Sequence, residues 1–253
     1  MKAAQPIGIL GGMGPQAGID LASKLVAHTR ATKDQDHIPS FLYGDPSIPD
    51  RTQFLFGHTT VNPAHHMVEG VQKLYALGVK VVGVACNTAH SPGIFDEFKS
   101  QLRSRCPDLT IIHLIEETVA GIQSRYPHIK NVGVLGTEGT LRFKLYDNLL
   151  VKAGLNPIQP RHQDALTPAI FDPKTGIKAC SSPVHGAAVQ GLVDAIEDVV
   201  AQGAEVVILG CTELPLAVPS PTHNLIPLLD PAVFLARALI QAAAPDRLLP
   251  WRV

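Results

Sequence analysis

The sequence predicts an α/β protein of two similar lobes, each a mostly parallel sheet flanked by helices, the two related by a pseudo-twofold duplication. Two observations predict this: short Val- and Ile-rich runs alternate with longer amphipathic stretches, and the pattern recurs at one fixed interval. Residues 7–10, 79–85, 132–135 and 206–209 read as strands buried on both faces. Residues 15–28, 63–77, 140–153 and 184–202 carry apolar positions three and four apart and read as helices. Strands alternating with helices imply parallel sheets covered on both faces.

The recurrence is specific. Ile7-Gly8-Ile9-Leu10-Gly11 reappears as Val132-Gly133-Val134-Leu135-Gly136, and Gly78 through Ala85-Cys86-Asn87-Thr88 reappears as Gly203 through Gly210-Cys211-Thr212-Glu213. Both matches lie 125 residues apart (132 − 7 and 211 − 86). Val-rich strands resemble one another, but that explains neither the matched glycines nor the paired cysteines, so two related halves are expected. Each half then adds a strand and a helix. Thr110-Ile111-Ile112-His113-Leu114-Ile115-Glu116-Glu117 runs into a helix over 118–124. Asn224-Leu225-Ile226-Pro227-Leu228-Leu229-Asp230 runs into one over 231–244, with Pro231 where a helix needs no N–H.

With 253 residues, 45% hydrophobic and 17% charged, the chain has the balance of a globular protein. A formal net charge of -1 gives no reason to expect nucleic acid or an anionic membrane as partner. No apolar run approaches a membrane span. Met1-Lys2-Ala3-Ala4-Gln5-Pro6 leads straight into the first strand, so a cytoplasmic location is expected. The four cysteines are widely spaced, with no CxxC pair and no zinc-ligand spacing, so free thiols are expected and no metal. Cys106 and Cys180 read as small buried hydrophobes. Cys86 and Cys211 do not.

Ligands of open parallel sheets bind beyond the carboxyl ends of the strands, where each of these two cysteines sits. Two halves facing each other would set the thiols across a shared cleft. That arrangement suits inversion at a carbon acid, in which one group removes a proton from one face and another supplies a proton to the opposite face. A thiol of ordinary pKa about 8.5 is readily poised for either role. Asn87-Thr88 and Thr212-Glu213 are expected at helix N-termini, whose N–H groups favour a thiolate or a substrate carboxylate. His90 and Glu213 are candidate proton partners. Gly11-Gly12-Met13-Gly14-Pro15 ends the first strand and permits close backbone approach, but lacks dinucleotide and Walker spacing. Thr137 holds the equivalent place in the second half. Arg51, in a loop ahead of a long helix, can clamp a carboxylate bidentately.

These motifs together resemble the aspartate/glutamate racemase superfamily, in its aspartate racemase branch. The carriers are Gly11 to Pro15, Pro49-Asp50-Arg51-Thr52, Ala85-Cys86-Asn87-Thr88-Ala89-His90, Gly133-Val134-Leu135-Gly136-Thr137 and Gly210-Cys211-Thr212-Glu213-Leu214. Glutamate racemases proper carry Cys-Thr-His in place of Cys211-Thr212-Glu213, and Asp-Ser-Gly in place of Gly12-Met13-Gly14.

The resemblance implies a homodimeric racemase without a cofactor, made of two Rossmann-like lobes. Residues 1–115 with 226–253 would form the first lobe and 116–225 the second, with the site between them. Cys86 would serve one enantiomer and Cys211 the other. Asn87, Thr88, Thr137 and Thr212 would hold the α-carboxylate and amino group of an acidic amino acid. Arg51 and a lysine would hold its distal carboxylate, and Met13 would narrow the pocket toward four carbons. The lysine is Lys178 or, because the loop departs from the family pattern around Cys180, Lys174. Glutamate or broad specificity stays open, as do hydantoin racemisation, maleate isomerisation and arylmalonate decarboxylation. A two-lobed amino-acid-binding protein without catalysis is disfavoured, because binding has no need of two thiols.

Overall fold

Strands β1 (Ile7–Gly11), β2 (Ser40–Gly44), β3 (Val81–Val84) and β4 (Thr110–Ile112) form a parallel sheet in the computed structural model, which describes residues 4–251. Met1–Ala3 of the opening segment lie outside the described residues. The strand order is β2-β1-β3-β4. β1 and β3 are buried along their whole length, as their apolar composition requires. A second sheet, ordered β6-β5-β7-β9-β8, is built from β5 (Asn131–Gly136), β6 (Asn156–Ile158), β7 (Val206–Gly210), β8 (Thr222–His223) and β9 (Ile226–Leu229). Its pairings are parallel except for the β8–β9 hairpin. Two α/β units result, Met1–Glu117 with Ala232–Val253 and Thr118–Pro231.

The repeat seen in the sequence is a repeat of structure. Ile7 pairs with Val81 and Leu10 with Val84 in the first sheet; Val132 pairs with Val206 and Leu135 with Leu209 in the second, each 125 residues on. The packing repeats too. A Cβ on Gly8 would meet Leu74, Val79 and Val82, and one on Gly133 would meet Val199, Ala204 and Val207, the same three positions in the other half. Both glycines let the strand lie directly against the helix that precedes its neighbour.

Those helices are Pro63–Ala76, capped by the Asn62 side chain on the Ala64 N–H, and Gly186–Ala201, capped by His185 on Ala187. The first sheet also carries Pro15–His28 and Pro92–Arg105, each opened by a proline. The helix expected after β4 begins earlier, at Leu114, and runs to Arg125. The last helix, Pro231–Ala243, packs on the first sheet: a Cβ on Gly83 of β3 would strike Leu239 and Leu235. Among the described residues, no helix is long and apolar enough to cross a membrane.

Two expectations are corrected. The helix read over 140–153 is two short helices, Glu138–Arg142 and Asp147–Lys152. They are separated by a turn in which Lys144 takes φ 52 and Leu145 N–H bonds back to Thr140 O. Cys180 is only half-buried, and its thiol donates to Lys174 O at 3.1 Å.

Candidate active site

In the first unit the pairing of β1 with β3 continues one residue past the strand, where Ala85 N–H bonds Leu10 O at 2.9 Å. The chain then breaks away at Cys86, which is buried. The residues that follow do not open a helix as expected. Asn87 leads into a 3-10 turn, Thr88–His90, and the long helix starts only at Pro92. Asn87, Thr88 and His90 are all buried in this turn.

Both ring nitrogens of His90 are engaged with main chain. Nδ1 lies 2.8 Å from Cys86 O and Nε2 accepts from Leu114 N–H at 3.3 Å. A carbonyl can only accept, so Nδ1 carries the proton and the ring is neutral. Burial, reinforced by the neighbouring His113, lowers its pKa from 6.5 to about 3. Phe95 stacks on the ring at 4.7 Å, and His113 meets it edge-on at 4.7 Å. With both nitrogens bonded to main chain, the ring ties the Cys86 turn to the end of β4.

Gly12 adopts φ +96 and lies against the backbone of Asp45, leaving no room for a Cβ. The next residue, Met13, is buried. Its carbonyl accepts from Arg51 Nη2 at 3.2 Å. Arg51 opens a short helix, Arg51–Leu55, capped by Asp50, instead of lying in a loop. Its Nη1 donates to Ile48 O (3.2 Å) and Pro49 O (3.0 Å). Nε is buried with no partner among the described residues. Three carbonyls therefore fix the guanidinium, and its Nε–Nη2 edge keeps donors for a carboxylate.

In the second unit, Cys211 follows β7 and is buried. Its thiol donates to Glu213 Oε2 at 3.1 Å, and Thr212 Oγ1 donates to the same oxygen at 3.2 Å. Glu213 Oε1 accepts from Lys178 Nζ at 2.6 Å. Burial first, then the Glu213 charge, push the Cys211 thiol well above its usual range, with Lys178 opposing. Here too the expected helix N-terminus is a single turn, Leu214–Ala217. Thr137 caps Glu138–Arg142 through the Thr140 N–H (3.2 Å), and Thr140 Oγ1 reaches Gly210 O at 3.4 Å. This ties the end of β5 to the residue before Cys211.

The structure separates the two lysines. Lys178 stands beside Glu213, whereas Lys174 is exposed and its N–H closes a turn on Asp172. Tyr146 was missed by sequence reasoning. Burial holds its phenol well above the ordinary tyrosine pKa against a hydrogen bond with Thr118, and the charges of Asp230 and Cys211 act in the same direction as burial. It lay inside the stretch read as one amphipathic helix, where its position signalled only packing. Among the described residues, no group of three or more His, Cys, Asp or Glu side chains is arranged to hold a metal ion.

Each unit thus carries a buried cysteine directly beyond the matching strand of its sheet. The model of the Asp/Glu/Hydantoin racemase family matches residues 10–239, and the chain belongs to that family. Among solved structures it is similar to an aspartate racemase of Picrophilus torridus, with 30% identity and a TM-score of 0.82 over 97% of this chain and 96% of that one. It is 29% identical over 240 residues to the broad specificity amino-acid racemase RacX of Bacillus subtilis (strain 168), covering 92% of this chain and 96% of the relative. A glutamate racemase of Ectopseudomonas mendocina (strain ymp) is 29% identical over 191 residues, 70% of this chain and 64% of the relative.

Proposed function

We propose that the protein interconverts L- and D-aspartate by proton transfer at Cα between two thiols, without a cofactor. The observation that carries this reading is the placement of Cys86 and Cys211, each buried directly beyond the matching strand of a duplicated unit. In this reading Cys86 and Cys211 address opposite faces of one Cα. The thiol that starts ionised removes the proton, and the other returns a proton from the far side. Glu213 takes up the Cys211 proton when Cys211 is to act as base, since its carboxylate already accepts from that thiol. Asn87, Thr88, Thr137 and Thr212 hold the α-carboxylate and amino group. The fixed Arg51 fork and Lys178 meet the distal carboxylate, and the buried Met13 limits its length. His90 keeps Cys86 in place through its carbonyl. The active form is read as a homodimer.

A second reading, broad amino-acid specificity, is favoured by one observation: Lys178 is already neutralised by Glu213. The similarity to a broad specificity racemase supports it as well.

Incubation of each enantiomer of aspartate, glutamate and alanine in deuterated water tests both readings. Deuterium is expected at Cα with inversion, fastest for aspartate. Cys86→Ser and Cys211→Ser should each abolish racemisation, and undiminished racemisation in both would sink the two-thiol assignment. Arg51→Ala should cost a dicarboxylate about 1.5–3 kcal/mol of binding, the range for a hydrogen bond to a charged group, and cost alanine little.

A further inference from the structure

One carboxylate in the second unit joins the Lys178 ammonium to the Cys211 thiol, with Thr212 Oγ1 on the same oxygen as the thiol. Glu213 Oε1 holds the Lys178 ammonium at 2.6 Å while Oε2 receives the Cys211 thiol at 3.1 Å. The two ends of this relay differ in access: the Lys178 side chain is 23% exposed and that of Glu213 3%. An incoming anion can therefore meet the ammonium but not the carboxylate. The lysine is also firmly presented. Its N–H bonds Ile170 O at 3.1 Å and that of Ile177 bonds Ala169 O at 2.9 Å, in a turn so tight that a Cβ on Gly176 would strike the Asp172 backbone. At the 125-residue interval the first unit carries other residue types, Thr88 for Glu213 and Gln53 for Lys178.

We propose that Lys178 is a substrate-operated release on Glu213: a ligand's distal carboxylate draws the ammonium away from Oε1, and the freed carboxylate takes the Cys211 proton through Oε2. This rests on the two-thiol racemase reading. The protons balance. The Cys211 proton moves to Glu213, the resulting thiolate accepts the Cα proton, and the Cys86 thiol supplies the new one. After product leaves, the proton on Glu213 returns to the Cys86 thiolate through water. A carboxylate that loses its counter-charge becomes a stronger base; Lys178 touches Glu213 at 2.6 Å and also lowers the Cys211 thiol, so the thiolate fraction rises about tenfold for each unit by which Glu213 gains more than Cys211. Acidic substrates are thus selected in kcat as well as in KM.

The test divides aspartate into two pieces, alanine and formate, and follows Cα deuterium exchange in the full-length protein. With the native protein, formate should accelerate alanine exchange saturably, by about tenfold for each unit of base strength that Glu213 gains over the Cys211 thiol. Lys178→Met should exchange alanine at the raised rate without formate and ignore added formate, while its KM for aspartate rises and kcat is kept. Glu213→Gln should abolish the formate effect. Alanine exchange unmoved by formate in the native protein overturns the proposal, as does equal activation in Lys178→Met. If Lys178→Met does not fold, the native formate titration decides alone. Absence of exchange with every amino acid instead overturns the racemase reading itself, and the release falls with it; aspartate exchange with no formate effect on alanine removes only the release.

Discussion

The His90 imidazole is neutral, buried and bonded at both nitrogens, and its pKa lies near 3 instead of 6.5. The unfolded chain binds a proton there between those two values and the folded chain does not. Stability is therefore fully present above pH 6.5 and drains away as pH falls toward 3, by about 1.4 kcal/mol per unit from this group. Urea unfolding from pH 7 to 4 should show a shallower acid loss in His90→Asn, which removes the titrating ring and keeps a donor for Cys86 O. An equal slope in both proteins would remove His90 as the cause. The sequence marked His90 by its distance from Cys86, yet spacing does not reveal which atoms a ring nitrogen faces. Glu213, two residues from its cysteine, was legible because a side chain so near along the chain has few places to go. Lys178 against Lys174 was not legible, since a turn on Asp172 decides which one points inward.

At the scale of elements, glycine marks where a helix rests on a strand. Gly8, Gly83 and Gly133 each face side chains that a Cβ would displace. Leu235 and Leu239 fill the space over Gly83, and truncating either to Ala should cost about 2–5 kcal/mol. The chain's one tryptophan, Trp251, reports on this contact: its ring lies 5.5 Å from Phe234 and carries the Arg237 guanidinium at 3.8 Å. Its fluorescence should shift at lower denaturant in Leu239→Ala, and an unchanged midpoint would refute the packing. The buried strands were legible because both faces are covered and the run stays apolar. The break inside 140–153 was not. Leu141, Leu145 and Leu149 keep helical spacing across it, no glycine or proline flags it, and Lys144 takes a positive φ that its side chain does not advertise.

At the scale of the whole molecule the duplication was the most legible feature, because register and glycine packing repeat at the interval read from the sequence. The share of the last helix was less legible. Strand and helix order alone leaves its destination open, and the packing over Gly83 settles it. That helix also sets a timetable. Thr118–Pro231 is one continuous stretch, while the first unit needs Ala232–Val253 to close. On the ribosome the N-terminal sheet emerges first yet stays uncovered over β3 until the helix Pro231–Ala243 follows, so the unit made between them is free to fold earlier. A polypeptide of residues 118–231 alone should unfold cooperatively. One of residues 1–117 should stay loosely packed and chaperone-bound until a peptide carrying residues 231–253 is supplied.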